Sequence, residues 1–348
     1  MLSAVSPDWV LALSVAYVVA AQGLSGIAKD LTKMSAKSAI KLVVPAGAHG
    51  RLFRWVALLT GSKNALKGVG FFVGAFALSV IGFAPALWVM AAALALVLIA
   101  IVVLLPRGMG QVKAALPLRR LLSKSPEINR LSAARLFLFG ARDVWFVVGV
   151  PVFLYDVAGW TFMQVGTFMA TWVIGYGFVQ AAAPLLVRRS ADGASSETKS
   201  ARVWAALLSL VPAAIVGGLW AQDALANDAL ARDWGFIGIL PSDAQIVVVG
   251  LMLFGVVFAV NSAVHSYLIL AYTKHADDVT LNVGFYYMAN AAGRLLGTLL
   301  SGITYQVAGL TGALTAASLM VLVSFAFALS LPSRAPSAPS EEAETASS

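Results

Sequence analysis

The sequence predicts an all-α membrane protein of about nine transmembrane helices, and three observations carry that prediction. Of 348 residues, 60% are hydrophobic and only 11% charged, whereas soluble domains carry about 25% charged residues. Mean hydropathy is +0.86; a chain this apolar cannot cover its surface with polar groups, so lipid is its solvent. Apolar runs of the roughly 20 residues that a span needs recur along the whole chain.

The runs fall at about 9–28, 55–81, 86–105, 131–154, 161–187, 201–220, 244–271, 279–306 and 311–331. The first follows "MLSAVSPDWV", which has no basic n-region, and it is long enough to span, so no cleavable signal peptide is expected. It leads into "SGIAKDLTKMSAKSAIK", where Lys29, Lys33, Lys37 and Lys41 recur every fourth residue on one helical stripe. The second run carries "TGSKNALKGVGFF" and the third is almost wholly apolar. The fourth opens on "LSAARLFLFGARDVWF", the fifth holds "WVIGYGFVQAAAP" and ends on "LVRRSADG", the seventh holds "NSAVHSY" and the eighth "NAAGRLLG". Gly and Ala scattered through the runs suit helix contacts in lipid. Backbone groups there must bond within their own segment, which excludes open strands. The Pro/Ser/Glu-rich end, 332–348, is predicted to be a disordered tail.

Charge position sets the orientation. Connections after the first, third, fifth and seventh runs, with the tail, hold 18 of the 24 Lys and Arg. The other side holds Arg232 beside Asp223, Asp228, Asp233 and Asp243. The basic side is cytoplasmic by the positive-inside rule, and the N-terminus lies outside. This alternation, loop by loop, excludes a nucleic-acid patch. The longest basic connection, 106–130, divides the chain into a partial N-terminal half of three helices (1–105) and a C-terminal half of six (131–331). Many transporters join two six-helix halves by such a linker. The 3+6 pattern therefore resembles helices 4–12 of a twelve-helix protein, with Met1 an internal methionine; a nine-helix protein is the alternative.

Six ionisable residues remain at membrane depth: Lys63, Lys67, Arg135, Arg142, Asp143 and Arg294. Each costs about a few kcal/mol at a helix centre and is expected to face a cavity or a partner. Five cations against one acid leave an excess that an anionic visitor would balance. Lys63 and Lys67 are one turn apart and Arg135 and Arg142 two turns apart, so each pair shares a helix face. The arginine fork suits phosphate and other oxyanions. Asn64, Asn261, His265 and Asn290 are the polar neutral candidates for the same site; Gln22, Gln180 and Asn282 also fall at depth. The stripe Lys29, Lys33, Lys37 and Lys41 would anchor the topology at the surface by snorkelling to lipid headgroups, or Lys29 and Lys33 would line a cytoplasmic mouth. Asp143 pairs with Arg142, or answers Arg135 or a cation on another helix. Asp143 and Asp30 are the candidate coupling carboxylates. No cysteine is present, the three histidines share no metal spacing, and there is no nucleotide-binding motif. No cofactor or metal is expected, and no enzymatic constellation of nucleophile and base is found.

The strings "SGIAKDLTKMSAKSAIKLVVP", "RWVALLTGSKNALKGVGFF", "LSAARLFLFGARDVWFVVGVPVFL" and "WVIGYGFVQAAAP" resemble the organoarsenical efflux permease family ArsJ of the major facilitator superfamily, over nearly the whole chain to about residue 331. "LVRRSADG" resembles a degenerate copy of the superfamily's signature loop. The resemblance implies a major facilitator helical bundle in a bacterial inner membrane. It also implies export of 1-arseno-3-phosphoglycerate in arsenic detoxification, with glyceraldehyde-3-phosphate dehydrogenase as the functional partner that makes it. It supplies no binding residues; those rest on the charge argument. The competing expectations are another organic-anion or drug exporter, a membrane enzyme, and a truncated inactive remnant.

Overall fold

The computed structural model describes residues 11–45, 47–104, 125–227, 242–273 and 278–333. Most of the 106–130 linker and the tail from Arg334 lie outside these residues. Among the described residues the chain is helical throughout, with no strand. The helices are α1 Leu11–Val43, α2 His49–Ile81, α3 Phe83–Leu104, α4 Pro126–Phe146, a short α5 Gly149–Val152 running into a π-turn Phe153–Val157, α6 Phe162–Leu186, α7 Ser195–Asn227, α8 Asp243–Ala271 and α9 Val279–Leu329.

Local sequence sets several of the boundaries. Ser125 caps α4 by accepting from Ile128 N, with Pro126 in the first turn, where a missing N–H costs nothing. Thr161 with Gln164 and Ser242 with Gln245 form reciprocal capping boxes at the starts of α6 and α8. Among the described residues, six helices are long and apolar enough to cross a membrane: Phe83–Leu104, Pro126–Val157, Met163–Leu186, Ser195–Leu225, Asp243–Ala271 and Val279–Leu329. The chain is a multi-pass α-helical membrane protein. Large apolar side chains such as Trp88, Leu94, Phe178 and Leu185 are exposed on its flanks, as lipid-facing positions are.

Three predicted spans differ in form from the simple helices expected. The 131–154 run is bent where α4 stops at Val147 and α5 begins after Val148. The amides freed there, of Val148 and Gly149, donate to Ser301 Oγ at 3.2 and 3.4 Å. The runs 279–306 and 311–331 form one helix broken at Ala308 and Gly309, where Gly309 takes φ 59°, ψ −153°, a region open mainly to glycine. The two limbs lie on α4 in opposite directions. Going out, Asn290 meets Arg135, Gly297 backs onto Gly140, and Ser301 meets Val148. Coming back, Met320 reaches Gly140, Ser324 donates to Ala134 O, and Ser330 O accepts from Arg130. Helix α4 is thereby the buried hub.

The core has two apolar regions. One centres on Trp145, Trp172, Phe254 and Phe258, with Trp145 edge-on to Trp172 and Phe254. The other joins Phe53, Ile128, Tyr267, Tyr272 and Tyr286 near the basic end. Helix α2 runs against α6 so closely that a Cβ on Gly177 would lie 2.6 Å from Gly61 O. At the basic end the described parts of the connections predicted to be cytoplasmic gather together. His49 sits against Gly193, Tyr267 donates to Gly193 O, and Arg202 donates to Leu331 O. Tyr272 donates to Pro332 O there, and burial pushes its hydroxyl up to about 12, so it stays a donor.

Candidate anion-binding site

Helix α4 supplies the frame. Two turns separate Arg135 from Arg142, and the Phe139 ring lies between them, 3.8 Å from the Arg135 guanidinium and 4.9 Å from that of Arg142. The two arginines therefore share a face, as their spacing predicts. Their surroundings differ completely.

Arg135 is buried, 3% exposed, and its hydrogen bonds go to neutral oxygens. Nε donates to Asn290 Oδ1 at 3.1 Å; Nη1 donates to Ser262 O at 3.1 Å and to Ser262 Oγ at 2.9 Å. Tyr176 and Gln180 also donate to Ser262 Oγ, at 3.3 and 3.1 Å, and Asn64 Nδ2 donates to Gln180 Oε1 at 2.6 Å. The chain of contacts thus passes from α2 through α6, α8 and α4 to α9. A hydroxyl offers two lone pairs, so three donors converging on Ser262 leave donor capacity to spare for a further acceptor.

Closer to the acidic end, Asp143 is 1% exposed and divides its oxygens between two arginines. Arg142 Nε donates to Oδ1 at 2.7 Å and Arg294 Nε to Oδ2 at 2.8 Å. Asp143 does not answer Arg135. Adjacent residues point about 100° apart on a helix, but the long Arg142 side chain curls back to its neighbour. Arg294 keeps 44% of its side chain exposed and Arg142 14%. Lys67, on the exposed side of α2, lies within electrostatic range of this triad, and Lys29 within range of both Lys63 and Lys67. Lys63 is half-buried, its Nζ 5.9 Å from the Tyr287 ring centre.

At the predicted cytoplasmic mouth, Lys33 is paired with Asp30 one turn away, while Lys29 is exposed. Asn261 and His265 are completely buried on α8, and neither makes a hydrogen bond to the protein. They are not the satisfied interhelical contacts that buried polar residues usually are. The side chain of Gln22 lies outside the described residues, and Asn282 donates to Thr273 Oγ1 at 3.2 Å.

Sequence reasoning missed Ser262, Tyr176, Lys37 and the Tyr286–Tyr287 pair, and noted Gln180 only as a polar residue at depth. Lys37 is 1% exposed, although it belongs to the stripe expected to lie at the surface. The consecutive tyrosines in the otherwise apolar "GFYYM" were a usable signal for α9. Among the described residues, the ion pairs are Lys33–Asp30, Arg142–Asp143 and Arg294–Asp143. None of these pairs includes Lys37, Lys63 or Arg135, although Asp30 lies within electrostatic range of Lys63. The described residues bring no three His, Asp or Glu side chains together for a metal. A separate apolar groove of about 680 Å³ opens between α7 and α8, lined by Leu207, Leu210, Ile215, Ile246, Val249 and Leu253, and holds none of these cations. No family model matches the chain, and no curated protein matches it.

Proposed function

We propose that the protein is a membrane transporter that exports a small organic oxyanion by alternating access. The observation that carries this reading is Arg135: a buried guanidinium held only by neutral oxygens, with surplus donors around it and no acid in contact. A charge in that position is normally paired; a transported anion would pair it transiently. The triad Arg142–Asp143–Arg294, shared between α4 and α9, adds one net positive charge. Asp143 is the carboxylate whose protonation would release two arginines to a substrate, which makes it the candidate coupling group; Asp30, half-exposed and tied to Lys33, is the second. The bundle's mobile element on this reading is the glycine-lined contact of α2 with α6, across which the two halves would rock.

The resemblance to the ArsJ permeases of the major facilitator superfamily supports 1-arseno-3-phosphoglycerate as the cargo, a small molecule with several negative charges. Glyceraldehyde-3-phosphate dehydrogenase would be the partner that makes it, a bacterial inner membrane the location, and an ion gradient the energy source. The interior-negative potential itself favours anion export. On this reading the chain carries out no covalent chemistry.

The test is arsenate resistance in arsenic-sensitive bacteria expressing the chain with and without the dehydrogenase. Resistance that requires both proteins is the expected result. Resistance equal to the empty vector in the presence of both removes the arsenical assignment.

A further inference from the structure

Lys37 has no place among the residues assigned above, yet it is the most deeply buried cation at the basic end. It projects from the part of α1 that continues beyond the apolar run, is 1% exposed, and its Nζ makes no hydrogen bond. It lies 5.2 Å from the ring centres of both Tyr286 and Tyr287, which stand nearly perpendicular, 5.8 Å apart. The Tyr286 ring is shared with Arg135 at 5.0 Å and the Tyr287 ring with Lys63 at 5.9 Å. Three cations from three helices thus surround one tyrosine pair. The ring faces attract an ammonium but accept none of its three N–H bonds in the ordinary sense. His265, buried on α8, also has two unpartnered ring nitrogens, and it lies within electrostatic range of Arg135.

We infer that Lys37 is a direct ligand of the transported anion, holding a doubly charged tetrahedral oxyanion group against Arg135 and Lys63. The inference rests on the transporter reading given above. Charge matching selects the group: a carboxylate brings one negative charge to three cations, whereas a phosphate-type group brings close to two and three strong acceptor oxygens. The tyrosine pair then has a second role, retaining the ammonium when the anion is absent. The competing role for Lys37 is a purely structural clasp between α1 and α9, and the two roles make opposite predictions for Lys37→Met. Replacing a buried ion by an apolar side chain of similar length is often neutral or stabilising. A ligand role therefore predicts that K37M folds with a ligand-free Tm at or above wild type.

The experiment titrates inorganic phosphate, with chloride at matched ionic strength as control, against the full chain in nanodiscs of phosphatidylcholine, reading Tm and affinity. Wild type is stabilised by phosphate; K37M keeps its ligand-free Tm and binds phosphate about tenfold more weakly, and Lys37→Arg, which restores charge, recovers to within about threefold. A K37M protein that fails to fold, or that responds to phosphate like wild type, overturns the assignment while leaving Arg135 as the site. A wild-type protein that does not respond to phosphate removes the oxyanion-transport reading itself. A Lys37-dependent response to phosphatidylglycerol nanodiscs without one to free phosphate also overturns the proposal, because it assigns the pocket to a lipid headgroup.

Discussion

At the scale of single residues, the bundle treats its buried cations in two ways, and each has a measurable consequence. Asp143 neutralises part of the charge of Arg142 and Arg294. Asp143→Asn leaves two guanidinium groups against an amide, and a stability loss of about 2–3 kcal/mol is expected on unfolding in detergent, at the low end for buried pairs because Arg294 is partly exposed. Arg294→Gln costs under about 1 kcal/mol, and the double variant less than the sum, since the partner lost is the same. Equal, additive losses would show that Asp143 does not link the two arginines. The cations themselves were legible in the sequence, because six charges in apolar runs stand out. Their partners were legible only in part: Asn290, 155 residues from Arg135, stood out as a polar residue at depth, but Ser262, 127 residues away, did not, because a serine in an apolar run carries no charge pattern to betray it. Lys37 was misread as surface because periodicity identifies a stripe without saying what packs over it.

At the scale of elements, the described parts of the nine apolar runs fall almost wholly in helices, and six helices among the described residues are long and apolar enough to cross a membrane, since hydropathy over about 20 residues is a strong signal in lipid. What hydropathy does not encode is where a helix bends. The break after α4 depends on a distant hydroxyl, Ser301, that takes up two freed amides, and the fold-back of α9 depends on the backbone freedom of Gly309. The "WVIGYGFVQ" stretch shows the same limit. Its glycines suggested close packing, but only the structure shows that Gly177 faces α2, with Ala65 N 2.4 Å from the position of a Cβ. Gly177→Val is expected to cost about 2 kcal/mol or more through overpacking and to separate Asn64 from Gln180, weakening phosphate binding by severalfold. Wild-type stability in G177V would contradict the tight crossing of α2 and α6.

At the scale of the whole molecule, the positive-inside pattern and the gathered connections agree. The described parts of the basic connections lie together at one end of the bundle, tied by His49, Tyr267, Arg202 and Arg130. From that end inward stand Lys37, Lys63 and Arg135, followed by the Arg142–Asp143–Arg294 triad with Lys67 in range. The central claim is that this excess of positive charge is there for an anion that crosses. It is tested most directly in everted membrane vesicles containing the full chain, supplied with the dehydrogenase, its substrates and radiolabelled arsenate. The prediction is label accumulation with wild type and accumulation at the empty-vector level with Arg135→Met, at equal protein in the membrane. Equal accumulation by wild type and R135M would contradict the claim.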